Sequence, residues 1–266
     1  MLVVASDNND IFEVYAIRYA RHERRAGENF IGGDAHDGPM PMDYFVWLVR
    51  NQHRIIVVDT GFNADAARVR KREFLRCPGA GLQLLGVDAK AVADVILTHL
   101  HYDHVGNFDL FPAATFHLQD AEMAFATGRH MASPAMSAAF SVEDVVGMVR
   151  EVYKGRVRFY AGDAQFAPGI SLHLVGGHTM GLQVVRVRTR RGWLVLASDA
   201  SHYYANMDEQ RPFPIVYNVG DMISGWRRVR DLADSADHII PGHDPQVLVR
   251  YPAPVPALAG AVVRLD

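Results

Sequence analysis

Short apolar runs recur along the chain and are separated by turn-forming residues, a pattern that predicts β-strands. The runs are rich in β-branched and aromatic residues, which fit a pleated and half-buried surface. They span Phe12 to Tyr19, Asp43 to Val49, Arg54 to Asp59, Asp94 to Thr98, Thr115 to Leu118, Arg156 to Tyr160, Ile170 to Val175, Gln183 to Arg188, Trp193 to Ser198 and His238 to Ile240.

Amphipathic stretches between these runs predict helices. They span Ala64 to Phe74, Gln119 to Ala126, Ser141 to Val152 and Asp221 to Ala233. Strands come first as a meander, then alternate with helices, and this order loosely repeats. It predicts an α/β protein with two sheets, each covered by helices on its outer face, in one domain over residues 1–266.

Two segments stand out from this alternation. Residues 20–42 contain a long irregular stretch, and a loop of that length in a compact domain is usually functional. We therefore predict that residues 20–42 form an active-site loop. Residues 119–152 are predicted to form a helical insertion.

Composition narrows the class of function. The 266 residues are 49% hydrophobic, enough for a sizeable core, and the net charge is −3. Scattered Lys and Arg predict no nucleic-acid partner, and the densest basic run, Arg68 to Arg76, is interpreted as a solvated helix face. The single cysteine, Cys77, excludes an internal disulfide and a thiolate-rich zinc site. No apolar stretch nears the ~18 residues that span a bilayer, and Met1 to Asp10 lacks signal-peptide features, so a cytoplasmic protein without membrane contact is predicted.

Four potential metal ligands follow the apolar run that ends at Thr98, namely His99, His101, Asp103 and His104. Alternate residues leaving a strand share a side, so His99 and His101 can face one ion while a turn carries Asp103 and His104 elsewhere. Imidazole and carboxylate suit Zn²⁺, and Fe, Mn or Co would accept the same mixture. Further polar residues at predicted strand ends are His178, Asp199 and His243.

The motifs HLHYDH, GHT, SD and PGH, preceded by Val57-Val58-Asp59-Thr60-Gly61, resemble the metallo-β-lactamase superfamily from about Phe45 to His243. The resemblance implies a four-layer αββα sandwich and two divalent metal ions. It implies the following roles: His99, His101 and His178 bind one ion, Asp103, His104 and His243 bind the other, Asp199 bridges them, and Asp59 supports the ligand loop through hydrogen bonds.

The bridging carboxylate indicates the reaction. Superfamily members that lack it, or have Cys there, are often β-lactamases proper, so Asp199 favours lactones and esters. Two metals about 3.5–4 Å apart lower the pKa of a shared water, and the expected nucleophile is a metal-bridging hydroxide. Asp103 is the candidate for passing the proton to the leaving group.

The overall layout most resembles the N-acyl-homoserine lactonases. Their best-known members hydrogen-bond the substrate carbonyl with a Tyr three residues after the bridging Asp. That position is His202 here, so either His202 or the following Tyr203 is the candidate for stabilising a developing oxyanion.

A small ester or lactone is therefore the expected partner, and apolar residues are the candidates for its binding walls because they suit an acyl chain. The candidates are Phe30, Met40, Met42, Tyr204, Phe213 and Tyr217, with Met123, Phe125, Met131, Met136 and Phe140 in the insertion. Each of them is equally compatible with a place in the core. Relatives of this layout are often dimers, so the resemblance also implies a homodimer.

Other chemistries of the same fold stay open. A thioesterase or a phosphoesterase or phosphotriesterase would use the same hydroxide. Thioesterases of the glyoxalase II type usually carry a basic C-terminal cluster, whereas Tyr251 to Asp266 holds only Arg264 as a cation. An iron-dependent oxidoreductase is disfavoured, because the first motif lacks the Glu of diiron relatives and mononuclear relatives lack the second ligand set.

Overall fold

The computed structural model describes residues 10–266, so the prediction made for Met1 to Asp10 lies almost wholly outside the described residues. The strands are β1 Glu13–His22, β2 Met42–Arg50, β3 Ile55–Val58, β4 Glu73–Phe74, β5 Asp94–Ile96, β6 Thr115–Gln119, β7 Val157–Tyr160, β8 Ala164–Ala167, β9 Ile170–Leu174, β10 Gln183–Thr189, β11 Gly192–Ser198, β12 Ile239–Pro241 and β13 Val262–Arg264.

The helices lie mostly between strands. They are α1 Ala64–Arg70, α2 Pro78–Gln83, α3 Tyr102–Val105, α4 Asp120–Ala126, α5 Pro134–Ser137, α6 Val142–Tyr153, α7 Tyr204–Asp208, α8 Val219–Leu232 and α9 Gln246–Arg250. Short 3₁₀ turns lie at Ala26–Glu28, Ala89–Ala91, Phe108–Leu110, Arg129–Ala132, Ala236–His238 and Pro256–Leu258.

The strands form two sheets. The first has the order β13-β1-β2-β3-β5-β6-β7, with β4 beside β1, and the second has the order β12-β11-β10-β9-β8. Strands β3, β5, β6 and β7 run parallel, as do β11 and β12. Because carboxyl ends of neighbouring parallel strands lie at the same edge, the residues after β3 and β5 meet there, as do those after β11 and β12.

Alternation along the strands creates three cores. In β2, Phe45 and Trp47 face the second sheet, whereas Tyr44 and Val46 face the helices outside the first. The second sheet divides its residues in the same way, with helices α7 and α8 over its outer face. Helix, sheet, sheet and helix are therefore stacked in four layers, which confirms the predicted αββα sandwich.

Several element boundaries differ from the prediction. Helix α1 ends at Arg70 rather than Phe74, because Lys71 adopts a left-handed conformation with φ of 55° and caps it. Glu73 and Phe74 then pair with β1 as a short strand. Strand β1 continues to His22 and β2 begins at Met42, so the irregular part of the predicted 20–42 loop is residues 23–41. Within residues 10–266, no helix combines the length and apolar character needed to cross a membrane.

Trp226 anchors helix α8 to the second sheet. Its side chain is fully buried, and its indole N–H donates to the Ala200 carbonyl at 2.6 Å. Replacing it with alanine (Trp226→Ala) is expected to lower the free energy of unfolding by about 3–5 kcal/mol, because the cavity cannot collapse fully. Urea denaturation measures this, with Val219→Ala on the same helix, where the side chain is exposed, as the control. A loss below about 1 kcal/mol would contradict the anchoring role.

Candidate metal centre

Three histidines bring their ring nitrogens together, two from the loop after β5 of the first sheet and one from the loop after β9 of the second. His101 Nδ1 lies 3.1 Å from His99 Nε2 and 2.8 Å from His178 Nε2. All three side chains are buried, and their candidate ligand atoms lie within 4.8 Å of one another. This is the group predicted for the first ion.

The second group consists of Asp103, His104 and His243, which are also buried and close enough to share one ion. Asp103 Oδ2 lies 3.8 Å from His104 Nε2 and 3.8 Å from His243 Nε2. The Tyr19 hydroxyl donates to the Asp103 carbonyl at 2.9 Å and so holds the turn that begins α3.

Asp199 lies between the two groups, with one carboxylate oxygen toward each. Its Oδ2 is 3.2 Å from His178 Nε2 and 3.9 Å from His99 Nε2. Its Oδ1 is 3.4 Å from His104 Nε2 and 3.1 Å from His243 Nε2. A Cβ on Gly242 would collide with Oδ1, so glycine at this position allows the third and fourth motifs to approach each other.

The remote ring nitrogens of these histidines have partners of their own. His178 Nδ1 donates to the Ile215 carbonyl at 2.6 Å, and His243 Nδ1 donates to the Asp43 carbonyl at 2.9 Å. His104 Nδ1 lies 2.7 Å from Asp59 Oδ2. These partners assign the proton to Nδ1, so each Nε2 carries a lone pair directed into the cluster.

His99 follows the same pattern through Thr98. The Thr98 hydroxyl donates to Asp59 Oδ2 at 2.8 Å, which leaves its oxygen as the acceptor for His99 Nδ1 at 3.1 Å. The Nε2 lone pair of His99 therefore also points into the cluster.

Facing lone pairs at these distances repel unless a cation lies between them. The buried atoms His104 Nε2 and Asp199 Oδ1 have no hydrogen-bond partner, as expected of atoms that bind a metal ion. Imidazole nitrogens and carboxylate oxygens are the donor set of Zn²⁺ and related ions. The residues present therefore fit two divalent metal ions.

The surroundings shift the pKa of these histidines in two different directions. Burial lowers the pKa of His99 and His101 well below the usual value, which keeps both neutral as metal ligation requires. Burial would also lower the pKa of His104, but the carboxylates of Asp199 and Asp59 together raise it. Burial opposes the charge on Asp199, yet the surrounding histidines hold the pKa of its carboxyl well below the usual value.

Asp59 makes the hydrogen bonds to the ligand loop that the resemblance implied. Its carboxylate accepts from the Thr98 amide at 2.7 Å, the Thr98 hydroxyl and His104 Nδ1. Asp59 has φ of 60°, and Ser198, whose hydroxyl lies 2.9 Å from that of Thr98, has φ of 44°. Left-handed conformations are uncommon for residues other than glycine, and these two lie at strand ends, Asp59 directly after β3 and Ser198 as the last residue of β11 before Asp199.

Glu122 has a supporting contact that the sequence did not reveal. Its carboxylate accepts from the Leu100 amide at 2.9 Å and from the Thr179 hydroxyl at 2.6 Å, so it joins the loops that carry His101 and His178. Burial raises the pKa of Glu122. Two acidic residues, Asp120 and Glu122, lie in the first turn of α4, and nothing in the sequence distinguishes Glu122 from an ordinary charge at a helix N-terminus.

His202 belongs to the cluster, whereas Tyr203 does not reach it. His202 Nε2 lies 3.0 Å from Asp199 Oδ2, and its ring stacks on Phe213 with centroids 3.6 Å apart. Burial lowers the pKa of His202 to about 3. Tyr203 turns away to cap α7, and its hydroxyl donates to the Met40 and Pro41 carbonyls at 3.4 and 3.3 Å.

Most predicted substrate walls lie elsewhere. Met40 and Tyr204 line a separate cavity, because the start of α7 turns Tyr204 toward Arg250, whose guanidinium lies over its ring. Phe30 is buried under Arg211, outside the metal cavity. Tyr217 packs on Phe125, and its amide donates to the His178 carbonyl at 3.1 Å. These positions are core or scaffold contacts, and Phe213 supports His202 from behind.

A cavity of about 300 Å³ opens onto the cluster. Both predicted segments contribute to it, residues 20–42 through Arg24 and Met42, and residues 119–152 through Met136 and its neighbours. Its walls comprise Arg24, Met42, Tyr44, Arg70, Arg72, Tyr102, Ala135, Met136, Ala138, Ala139, Pro214 and Ile215 beside the predicted ligands and His202. The prediction of a solvated helix face is thus wrong for Arg70 and Arg72, since both line this cavity.

The hydrogen bonds that Asp59 accepts are expected to affect the affinity for metal. Asp59→Asn is expected to lower zinc affinity 10- to 100-fold, because an amide cannot accept from all three donors and so orients His104 less well. Competition with a chromogenic chelator measures the affinity. Asp65→Asn, an exposed position on α1, is the matched control. Equal affinities for both variants would show that Asp59 does not act on the ligand loop.

The sequence of this chain is similar to those of known proteins. A family model described as the metallo-beta-lactamase superfamily matches residues 40–243. The chain is 26% identical over 232 residues to a probable metallo-hydrolase of Mycobacterium bovis, covering 77% of this chain and 72% of that protein. It is 28% identical over 179 residues to an N-acyl homoserine lactonase of Azorhizobium caulinodans, covering 62% of this chain and 63% of that protein.

Solved structures have the same fold. A quorum-quenching N-acyl homoserine lactone lactonase superposes with a TM-score of 0.72 and 20% identity, covering 88% of this chain and 92% of that one. A dizinc quorum-quenching lactonase superposes with a TM-score of 0.70 and 18% identity, covering 88% of each chain. At identities of 20% and 18%, these structures show a similarity of fold alone. The family model, by contrast, spans well over half of the sequence and reaches His243, and the chain therefore belongs to the metallo-β-lactamase superfamily.

Proposed function

We propose that this metallo-hydrolase is a dinuclear enzyme that opens lactones and related carboxylic esters. The single observation that carries the proposal is the position of Asp199, with one oxygen toward each of two groups of buried ligand atoms. His99, His101 and His178 would hold one ion, and Asp103, His104 and His243 the other.

When bound, the two ions would supply a water of near-neutral pKa and polarise the substrate oxygen. The chain's own residues then have three tasks. Burial keeps His99 and His101 neutral, and Nδ1 contacts fix the orientation of His99, His104, His178 and His243. Asp103 is exposed to the cavity on one side, so its carboxylate is the group that would carry a proton to the leaving oxygen. His202 presents its ring to the same space, and its Nε2–H, which lies beside Asp199 Oδ2, would donate to the developing oxyanion.

Two further observations support esters and lactones as the substrate class. Relatives of this chain include proteins named as N-acyl homoserine lactonases. The cavity, at about 300 Å³, has the size of a small-molecule site and reaches the candidate ligands directly.

Metal removal tests the dinuclear proposal. Dialysis against a chelator is expected to abolish hydrolysis, and adding back two equivalents of Zn²⁺ per chain is expected to restore it. The assay panel comprises acyl-homoserine lactones of varied length, γ- and δ-lactones, aryl esters, S-lactoylglutathione and paraoxon, with metal content measured by mass spectrometry. Activity restored fully by one equivalent would sink the dinuclear site, and inactivity on every lactone and ester would sink the substrate class.

The choice between His202 and Tyr203 can be tested with two variants. His202→Ala is expected to lower kcat by about 10²-fold, because a donor to the developing charge is lost from a buried site. Tyr203→Phe is expected to change kcat less than about twofold, since its hydroxyl contacts backbone carbonyls of the loop. Steady-state kinetics on the best substrate of the panel decide it, and a larger effect from Tyr203→Phe would reverse the assignment.

A further inference from the structure

Three arginines line the wall of the cavity that holds the candidate metal ligands. Arg24 comes from the irregular segment after β1, and Arg70 and Arg72 lie on either side of the residue that ends α1. All three are half-buried. Two separate stretches of chain thus deliver cationic groups to one small space.

Their hydrogen bonds go to backbone carbonyls, a hydroxyl and an imidazole rather than to carboxylates. Arg24 donates to the Glu28 carbonyl at 2.6 Å, and Arg70 donates to the Ala138 and Phe140 carbonyls at 3.0 and 3.1 Å. Arg72 donates to the Tyr102 hydroxyl at 3.3 Å and to His22 Nε2 at 3.1 Å. Within residues 10–266, none of the three side chains forms an ion pair with a carboxylate.

Comparable arginines elsewhere in the fold do form such pairs. Partly buried guanidinium groups lie 2.6–3.1 Å from carboxylate oxygens in the pairs Arg18–Asp43, Arg50–Glu13 and Arg156–Glu151. Burying a cation away from water is costly, and a nearby acid offsets that cost in these three pairs. Arg76 and Arg186, which are also half-buried, donate instead to the Arg18 and Leu232 carbonyls. The three arginines of the cavity also lack an acid, but unlike Arg76 and Arg186 they converge on one cavity of about 300 Å³. That convergence leaves space for a bound anion as their common partner.

The rest of the cavity does not offer the missing anion. The acidic residues in its wall are Asp103 and Asp199, both of which would be neutralised by the proposed metal ions. His22, which accepts from Arg72, is neutral, because burial, with Arg72 and Arg24 nearby, lowers its pKa to about 4. With metal ions bound to both carboxylates, the three arginines would make the potential in the cavity positive.

The guanidinium groups are also held in place before any ligand arrives. The Arg70 guanidinium lies 3.7 Å from the centroid of the Tyr102 ring, and Arg72 donates to the Arg70 carbonyl at 2.6 Å. Stacking and backbone contacts reduce the entropy lost when an anion binds.

We propose that the substrate carries an anionic oxygen group, a carboxylate or a phosphate, which Arg24, Arg70 and Arg72 bind while its ester bond faces Asp199. The proposal rests on the proposed function and narrows it to small anionic lactones or esters. A neutral substrate with a long acyl chain would leave three half-buried cations without an anionic partner. Met42, Met136 and Ile215 would contact only a short aliphatic portion between the two ends.

The test compares isosteric lactones that differ in charge. The substrates are 5-oxotetrahydrofuran-2-carboxylate and 5-oxotetrahydrofuran-2-carboxamide, and ring opening of both is followed with a pH indicator on the zinc-loaded enzyme. The native enzyme is expected to favour the carboxylate in kcat/KM at least about tenfold, because charge-assisted hydrogen bonds are about twice as strong as neutral ones. Equal kcat/KM values for the pair would overturn the proposal.

Variants of the arginines test whether these side chains cause the preference for the carboxylate. Arg24→Gln and Arg72→Gln are each expected to lower the carboxylate-to-carboxamide ratio of kcat/KM about tenfold. Arg68→Gln is the matched control, because Arg68 is exposed on α1 and pairs with Asp65 outside the cavity. A similar loss in the control would mean that overall charge, rather than this cluster, sets the preference, and would overturn the proposal.

A third substrate distinguishes the two anionic groups. The phosphate monoester of 5-(hydroxymethyl)oxolan-2-one is assayed in parallel with the carboxylate, and the substrate with the higher kcat/KM identifies the preferred anionic group.

A binding measurement separates this inference from the proposed function. Calorimetric titration of the zinc-loaded protein with glutarate reports on the arginines without any turnover. If no lactone or ester is opened, the proposed function fails, yet glutarate binding weakened about tenfold in Arg24→Gln and Arg72→Gln but not in Arg68→Gln would still support the anion site. Glutarate affinity that is the same in all four proteins would overturn the anion site even if lactones are opened.

Discussion

The rest of the structure depends on the burial of one carboxylate, that of Asp199, among imidazole nitrogens whose lone pairs face one another. Such an arrangement is unstable in a low-dielectric interior unless cations occupy it. The remote nitrogens are already bound to carbonyls, a hydroxyl and Asp59, so the histidines cannot rotate to relieve the repulsion. The fold therefore builds a site that metal binding would complete, and the energy of that binding would stabilise the fold.

Meeting this constraint requires both sheets. Ligands from the first sheet follow β5, and those from the second follow β9, β11 and β12. The sheets are held face to face by the core between them, while Glu122 ties the loop after β5 to the loop after β9. Burying the Glu122 carboxylate is unfavourable in free energy, and its three hydrogen bonds offset this. Precise ligand placement thus depends on polar contacts outside the ligand set.

What the sequence predicts well is what depends on local pattern. Strand alternation and the positions of polar residues after apolar runs located the two sheets and the candidate ligands. The direction of a side chain after a tight turn is not local information: His202 and Tyr203 are neighbours, yet one meets Asp199 and the other caps α7. The anionic support from Glu122 and the burial of Phe30 under Arg211 arise from segments far apart in the chain, which no periodicity records.

The arginines show how one backbone detail changes the chemistry of a cavity. In a continuous helix, residues 70 and 72 would be separated by about 200° around the axis and could not both face the same space. The left-handed Lys71 ends the helix between them and redirects the chain toward β1, where Glu73 and Phe74 pair. Arg72 thereby reaches Tyr102 and His22 while Arg70 stacks on Tyr102. The regular charge pattern of Arg68 to Arg76 indicates a solvated face only for an unbroken helix, and the break converts part of it into the positive wall of the site.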